Sequence, residues 1–271
     1  MAMQIQTAVV TGAASGLGRA LCEELAARGA AVVASDIDLD GARATASALE
    51  SRGAKAVAIQ CDVADARAVQ ALADASREAI GDIDLVANNA GVAVGGPLED
   101  ISLENWQWIM DINLWGVIHG CRTFGPAMKA RGRGAILNVA SAAGLLCAPE
   151  MSPYNVTKAG VVALSETLHA ELGRAGVHVS VLCPTFFQTR ILENSRGPVD
   201  SRARKVAQKL MSRSSIQAPD VARIALDAAE ANRLYVVPMQ DGRTMWRLKR
   251  LGPERFYRLL GSKMVRRMLG S

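Results

Sequence analysis

The chain contains no uninterrupted run of about 18 apolar residues, the length a membrane-crossing helix needs, so no span is expected. Its opening, MAMQIQTAVVTG, has neither a basic segment nor a long apolar one, and a secretory leader is not expected. Cysteine is sparse and unpatterned. Cys22, Cys61, Cys121, Cys147 and Cys183 are odd in number and nowhere spaced CxxC, which argues against a disulfide framework or zinc ribbon and for reduced thiols in a cytoplasmic protein. The three histidines, His119, His169 and His178, form no ligand-spaced cluster, and no metal is expected. Aromatic residues make up only 4% of the chain, yet half of it is hydrophobic, and it has neither a low-complexity tract nor a repeat at solenoid periods. That composition is globular, and 271 residues can bury a core without disulfides.

The net charge of +5 is unevenly placed. From Arg243 to Ser271 there are nine Lys and Arg against one Glu, a net +8, which leaves the other 242 residues at −3. The body is therefore no nucleic-acid-binding surface, and no nucleic-acid partner is expected. Short β-branched runs alternate with Ala/Leu-rich helical patterns. Strands are expected from Ile5, Ala30, Ala56, Ile83, Ala135, Val177 and Leu234, with helices at about Gly16 to Arg28, Leu39 to Arg52 and in each later gap. This order predicts one α/β domain over residues 1–240, a Rossmann-type doubly wound, mostly parallel sheet of about seven strands with helices on both faces. The strands are almost continuously apolar, as burial of both sheet faces requires.

Directly after the first strand comes TGAASGLG, Thr11 to Gly18. Gly12, Gly16 and Gly18 lie at a strand-to-helix junction, where a backbone without side chains can approach a pyrophosphate and aim helix N-terminal N–H groups at it. Asp36, at the end of the second strand, would accept hydrogen bonds from adenosine ribose hydroxyls and repel a 2′-phosphate, which favours NAD over NADP. Capping of the next helix is better suited to Asp38 or Asp40. Asp62 and Val63 follow the third strand, where a carboxylate would meet an adenine amino group. Asn88-Asn89-Ala90-Gly91 follows the fourth, as a turn small enough for a dinucleotide to lie close.

Further on, SPYNVTK sets Tyr154 and Lys158 four residues apart, on one face of a helix. Ser141 precedes the tyrosine by thirteen residues. A phenol with a pKa near 10 is a poor base at neutral pH, and an ammonium one turn away would lower it. Thr11-Gly12-x₃-Gly16-x-Gly18, Asp62, Asn88-Asn89-Ala90-Gly91, Asn113, Ser141, Tyr154-x₃-Lys158 and Pro184 occur in order and in fitting contexts. Together they resemble the short-chain dehydrogenase/reductase family over about residues 5 to 190.

The resemblance implies an oxidoreductase interconverting an alcohol and its ketone with a nicotinamide dinucleotide. In it Tyr154 is general base or acid, Ser141 holds the substrate oxygen, Lys158 also holds the nicotinamide ribose, and Asn113 bends its helix to hold a relay water. An ordinary asparagine bonding back to the preceding turn is the other reading of Asn113. The cofactor site implied comprises Gly12, Ser15, Gly16, Leu17, Gly18, Asp36, Asp62, Val63, Asn89, Ala90, Gly91, Tyr154, Lys158, Pro184 and Thr189. Thr189 would contact the carboxamide. The chain departs from the family's frequent Pro-Gly after the sixth strand, having Thr185 after Pro184, and this narrows the approach to the ring. NADP-linked ketone reduction and non-catalytic sensing of NAD(H) are the alternatives, and a homodimer or homotetramer is implied.

Residues 185–215 are expected to form a substrate lid. Phe186, Phe187, Ile191, Leu192, Leu210 and Met211 make it apolar, which suits either a hydrophobic alcohol or ketone or packing of the lid onto the body. The basic extension, residues 241–271, is expected to be helical from Gly252-Pro253, with Tyr257, Leu260, Met264 and Met268 at helical spacing between Arg255, Arg258, Arg266 and Arg267. Such a helix can pack on the body, on a partner subunit or weakly on an anionic membrane surface.

Overall fold

The apolar runs become strands β1 (Thr7–Thr11), β2 (Ala31–Asp36), β3 (Ala56–Gln60), β4 (Leu85–Asn88), β5 (Gly134–Val139), β6 (Val177–Leu182) and β7 (Tyr235–Val236). The structure, a computed structural model, describes residues 3–198 and 201–260, with residues 201–204 and 260 described by their backbone alone. The strands form one sheet in the order β3-β2-β1-β4-β5-β6-β7, with every neighbouring pair parallel. β1 starts two residues later than its apolar run suggests, and β7 is two residues long.

Between and beyond the strands lie helices α1 (Gly16–Ala27), α2 (Leu39–Glu50), α3 (Ala66–Ile80), α4 (Leu103–Met110), α5 (Gly116–Arg131), α6 (Ala142–Leu146), α7 (Ser152–Gly173), α8 (Ser201–Arg213), α9 (Ala218–Glu230), α10 (Gln240–Leu251) and α11 (Pro253–Leu260). Successive strand residues face opposite sides. Ala8 and Val10 join a core with α1, α2 and α9, whereas Val9 joins one with α3, α5 and α7. Both faces are covered, which accounts for the unbroken apolar strands.

The crossovers from β1 run toward β3, and those from β4 run toward β7. That reversal opens a crevice beyond the carboxyl ends of β1 and β4, where open α/β sheets bind ligands. Below it, a buried polar chain ties β4, β5 and α7 together. Asn88 Nδ2 donates to Asn138 Oδ1 at 2.8 Å, Asn138 Nδ2 to Ser165 Oγ at 2.9 Å, and Ser165 Oγ to the Val161 carbonyl at 2.7 Å.

Past β7 the chain packs on its own body. Phe256 is buried in the core that contains Leu145 and Leu146, and Trp246 lies 4.8 Å from Tyr235 between ring centroids. The extension is thus helical from Gln240, earlier than Gly252. Met264, Met268, Arg266 and Arg267 lie outside the described residues. Among the described residues no helix is long and apolar enough to cross a membrane, and no cluster of metal-ligating side chains occurs.

Candidate active site

The glycine turn at the end of β1 is held by the loop after β4. Thr11 Oγ1 accepts from the N–H groups of Asn89 and Ala90 at 3.0 and 3.1 Å. Asn89 Nδ2 donates to the carbonyls of Thr11 and Gly12 at 2.8 and 3.2 Å, so its amide braces the turn. Gly12 has φ +68°, and a Cβ there would lie 2.8 Å from Ala90 Cα; only glycine meets both demands. Gly16 has φ +54° and faces open space, its nearest neighbour being Thr189 Cβ at 4.0 Å from an added Cβ.

Asp38, Asp65 and Ser102 cap α2, α3 and α4 with their side chains. At the start of α1, Ser15 makes no such bond, and the first turn carries no acidic residue. Its N–H groups therefore stand clear of any side-chain cap and can serve an anion. Leu17 is buried in the core, so only its backbone is available to a ligand.

Asp36 Oδ2 accepts from Ala14 N at 2.9 Å and Oδ1 from Asp38 N at 3.0 Å. These bonds fix the carboxylate at the end of β2, and each oxygen keeps a lone pair for a further donor. Asp62 is exposed and accepts from Ala64 N at 2.9 Å. Val63 is buried against Gly116, where a Cβ would come within 2.8 Å of its Cγ2. A cleft of about 440 Å³ runs from Gly16 to the segment between β6 and α9, lined by Thr189, Arg190, Leu192, Gln208 and Met211 among others. The apolar residues expected to form a lid have different settings: Phe187 packs into the core, Leu192 and Met211 line the cleft, and Phe186 and Leu210 are exposed.

Ser141, Tyr154 and Lys158 meet at the carboxyl end of β5. Ser141 is the N-cap of α6, its Oγ accepting from Ala143 N at 3.1 Å, and it lies close enough to the Tyr154 phenol to influence it. Lys158 Nζ lies 5.8 Å from the Tyr154 ring centroid and donates to the Val139 carbonyl at 2.9 Å. Both side chains are almost wholly buried. Burial holds the Lys158 ammonium down at about 8, with the neighbouring Cys183 thiol opposing. Burial also pushes the Tyr154 phenol up, and Ser141 pulls the other way. Against the expectation that Lys158 lowers the phenol pKa, desolvation is the larger influence in the free chain.

Asn113 sits in a π-helical turn, Asp111–Trp115, that joins α4 to α5. It does not bond back to its own helix. Its Oδ1 accepts from Val92 N at 2.8 Å and its Nδ2 donates to the Val92 carbonyl at 2.9 Å, fastening the extended segment that follows Gly91. A Cβ on Gly91 would lie 3.2 Å from Asn113 Oδ1 and 3.5 Å from Lys158 Nζ, so the three residues converge. Tyr154 packs in an apolar wall with the buried Ala93, Val94, Ile101 and Ile109, to which the partly buried Trp108 and Met151 add. Pro184 accepts from Ala142 N at 2.9 Å. Thr189 Oγ1 accepts from Ile191 N at 3.4 Å.

Sequence reasoning missed Asn138, Ser165 and Val92. An asparagine inside the apolar run AILNVAS was the available sign for Asn138; nothing local marks Val92.

Comparison with known proteins agrees with this geometry. A family model described as short chain dehydrogenase matches residues 6–199. The 1-deoxy-11-beta-hydroxypentalenate dehydrogenase of Streptomyces exfoliatus is 35% identical over 246 residues, 90% of this chain and 86% of that one. The D-threitol dehydrogenase of Mycolicibacterium smegmatis is 41% identical over 186 residues, 69% of this chain and 72% of that one. A short chain dehydrogenase/reductase from Burkholderia phymatum, solved in complex with NAD, superposes with a TM-score of 0.87 at 36% identity, covering 94% of this chain and 96% of that one. With this fold, this match and relatives that are dehydrogenases of hydroxyl groups, the chain belongs to the short-chain dehydrogenase family of oxidoreductases.

Proposed function

We propose that the protein is an NAD-linked enzyme that interconverts a hydrophobic secondary alcohol and its ketone. The observation that carries this reading is the meeting of Ser141, Tyr154 and Lys158 at the end of β5, beside an apolar wall. The residues at the crevice fit a dinucleotide. The Gly12 turn leaves no room for a side chain, the start of α1 is free of side-chain caps, and Asp36 is fixed where a ribose diol would sit. Gly12, Gly16 and Gly18 with Ser15 and Leu17 would hold the pyrophosphate through their backbone. Asp62 and Val63 would hold the adenine, and Ala90, Gly91, Lys158, Pro184 and Thr189 the nicotinamide half.

A bound nicotinamide supplies the hydride acceptor or donor. Tyr154 moves the proton at the substrate oxygen: the neutral phenol that burial favours is the acid for ketone reduction, and its ionised form is the base for alcohol oxidation. Ser141, beside the phenol, would turn its one hydroxyl proton to the same substrate oxygen and align it. Lys158 has three donors and spends one on Val139; the others face the Gly91 side. Asn113 keeps the Val92 backbone and the π-turn in place. The relatives' names, a hydroxypentalenate and threitol, differ in polarity, and the apolar residues packed around Tyr154 support the hydrophobic reading. Exposed Leu103, Trp115 and Val156 support assembly as a homodimer or homotetramer.

The test is NADH formation from NAD with a panel of steroidal, terpenoid, aromatic and aliphatic secondary alcohols, repeated with NADP. Activity is expected with NAD and an apolar alcohol, and preference for polyols would count against the substrate reading. Asp36→Ala is expected to raise the NADP-to-NAD ratio of kcat/KM by about tenfold or more, because it removes both a charged hydrogen-bond acceptor and a repulsive charge. An unchanged ratio would mean that Asp36 does not select the nucleotide.

A further inference from the structure

The C-terminal extension is tied to α6 and to the segment that follows β6. The first tie is at α6, a five-residue helix too short to satisfy its own last carbonyls. Two side chains of the extension do so: Lys249 Nζ donates to the Leu145 carbonyl at 2.6 Å, and Tyr257 Oη to the Leu146 carbonyl at 3.2 Å. The ammonium also lies 5.3 Å from the Tyr257 ring centroid, so the two donors support each other. A cation at a helix C-terminus is favourable in its own right. The other end of α6 is capped by Ser141 itself, so the helix is held between the extension and the serine beside Tyr154.

The second tie is at Thr185. Its Oγ1 donates to Asp241 Oδ1 at 3.2 Å, and its Cγ2 lies against Gly242, where an added Cβ would come within 2.7 Å. Thr185 follows Pro184, whose carbonyl accepts from the first residue of α6. The departure from Pro-Gly at this point has a purpose here: a glycine has no hydroxyl to reach Asp241. Its side chain is engaged with α10.

We propose that Lys249 and Tyr257 are positioning residues that act on Ser141 through α6, so that the extension helps to set the alcohol against Tyr154. Lys249 and Tyr257 bond Leu145, Leu146 and Cys147 and none of the residues that would hold the nucleotide. This inference rests on the functional reading above for its kinetic consequence, and on the hydrogen bonds alone for its structural one.

The test compares full-length wild type with Lys249→Met/Tyr257→Phe and with Lys249→Arg. Three quantities are read: amide hydrogen exchange across residues 142–151, NADH affinity by fluorescence, and kcat and KM for the best alcohol of the panel. In the double variant the Gly144 and Cys147 amides, which donate to Ser141 and Ala143, are expected to exchange faster. NADH affinity stays within about twofold, and kcat falls about tenfold, the order set by two lost hydrogen bonds, with KM changing less. Lys249→Arg keeps a donor and a charge, and retains most of kcat. Unchanged exchange overturns the proposal, as does a loss in which NADH affinity and kcat fall together. If wild type oxidises no alcohol of the panel, the functional reading fails, and the exchange data alone decide whether the extension holds α6.

Discussion

Lys158→Met is expected to give a protein that is more stable than wild type at pH 7 and unable to turn over substrate. The ammonium is buried and its pKa is depressed from 10.5 to about 8, so the unfolded chain binds more protons than the folded one between those values. Stability therefore rises with pH across that window. The penalty is fully present below about pH 8 and is relieved as pH climbs toward 10.5. Its full size is about 3 kcal/mol, and the hydrogen bond to Val139 that methionine forfeits offsets about 1 kcal/mol. A net gain of about 2 kcal/mol at pH 7 is expected, and it should disappear near pH 10. Denaturant unfolding at the two pH values measures it. Turnover should fall by at least about a hundredfold, since the residue beside the proton-transfer group is lost. A variant that is less stable at pH 7, or one that stays active, would show that the buried ammonium is not kept for catalysis at the expense of the fold.

Gly18→Ala is expected to abolish nucleotide binding and to destabilise the protein by about 3 kcal/mol or more, the upper range for overpacking. A Cβ at this position would lie 2.0 Å from the Gly12 carbonyl oxygen and 2.6 Å from Asn89 Nδ2. The first neighbour is backbone in a turn that the β4 loop already pins, so the clash has no soft side to relax into. Moving the turn would move the start of α1 with it. Gly173→Ala is the control. Nothing lies within 4 Å of its added Cβ, and alanine in a helix should be neutral or stabilising by up to ~1 kcal/mol. Thermal unfolding with and without NADH separates the two variants. A Gly18→Ala protein that still binds NADH normally would mean the cradle is looser than its contacts imply.

The strands, their parallel arrangement and the covering helices were legible because burial of both sheet faces leaves an unmistakable run of apolar residues. The glycine turn and the Tyr154–Lys158 pair were legible because their spacing is local. What was not legible depends on contacts far apart in sequence. Asn113 finds Val92 across 21 residues, and Lys249 finds Leu145 across 104; neither partner carries a side-chain signal, because both are met through their backbone. The direction of the Tyr154 shift was missed for a related reason. An i, i+4 spacing reveals a neighbouring charge, whereas desolvation is set by everything that packs around the ring. Thr185 likewise meets Asp241 across 56 residues, a contact that no local pattern marks.

The central claim is that Tyr154 moves the proton and that the nucleotide site stands without it. The most direct measurement pairs NADH affinity with NADH-forming turnover, in wild type and in Tyr154→Phe, using the best alcohol of the panel. The account predicts unchanged affinity in the variant and a fall in kcat of about a thousandfold, within the usual range for a lost general acid–base group. Turnover that survives in Tyr154→Phe would contradict it. So would a wild type that binds NADH tightly and oxidises nothing, which would make the protein a sensor of NAD(H).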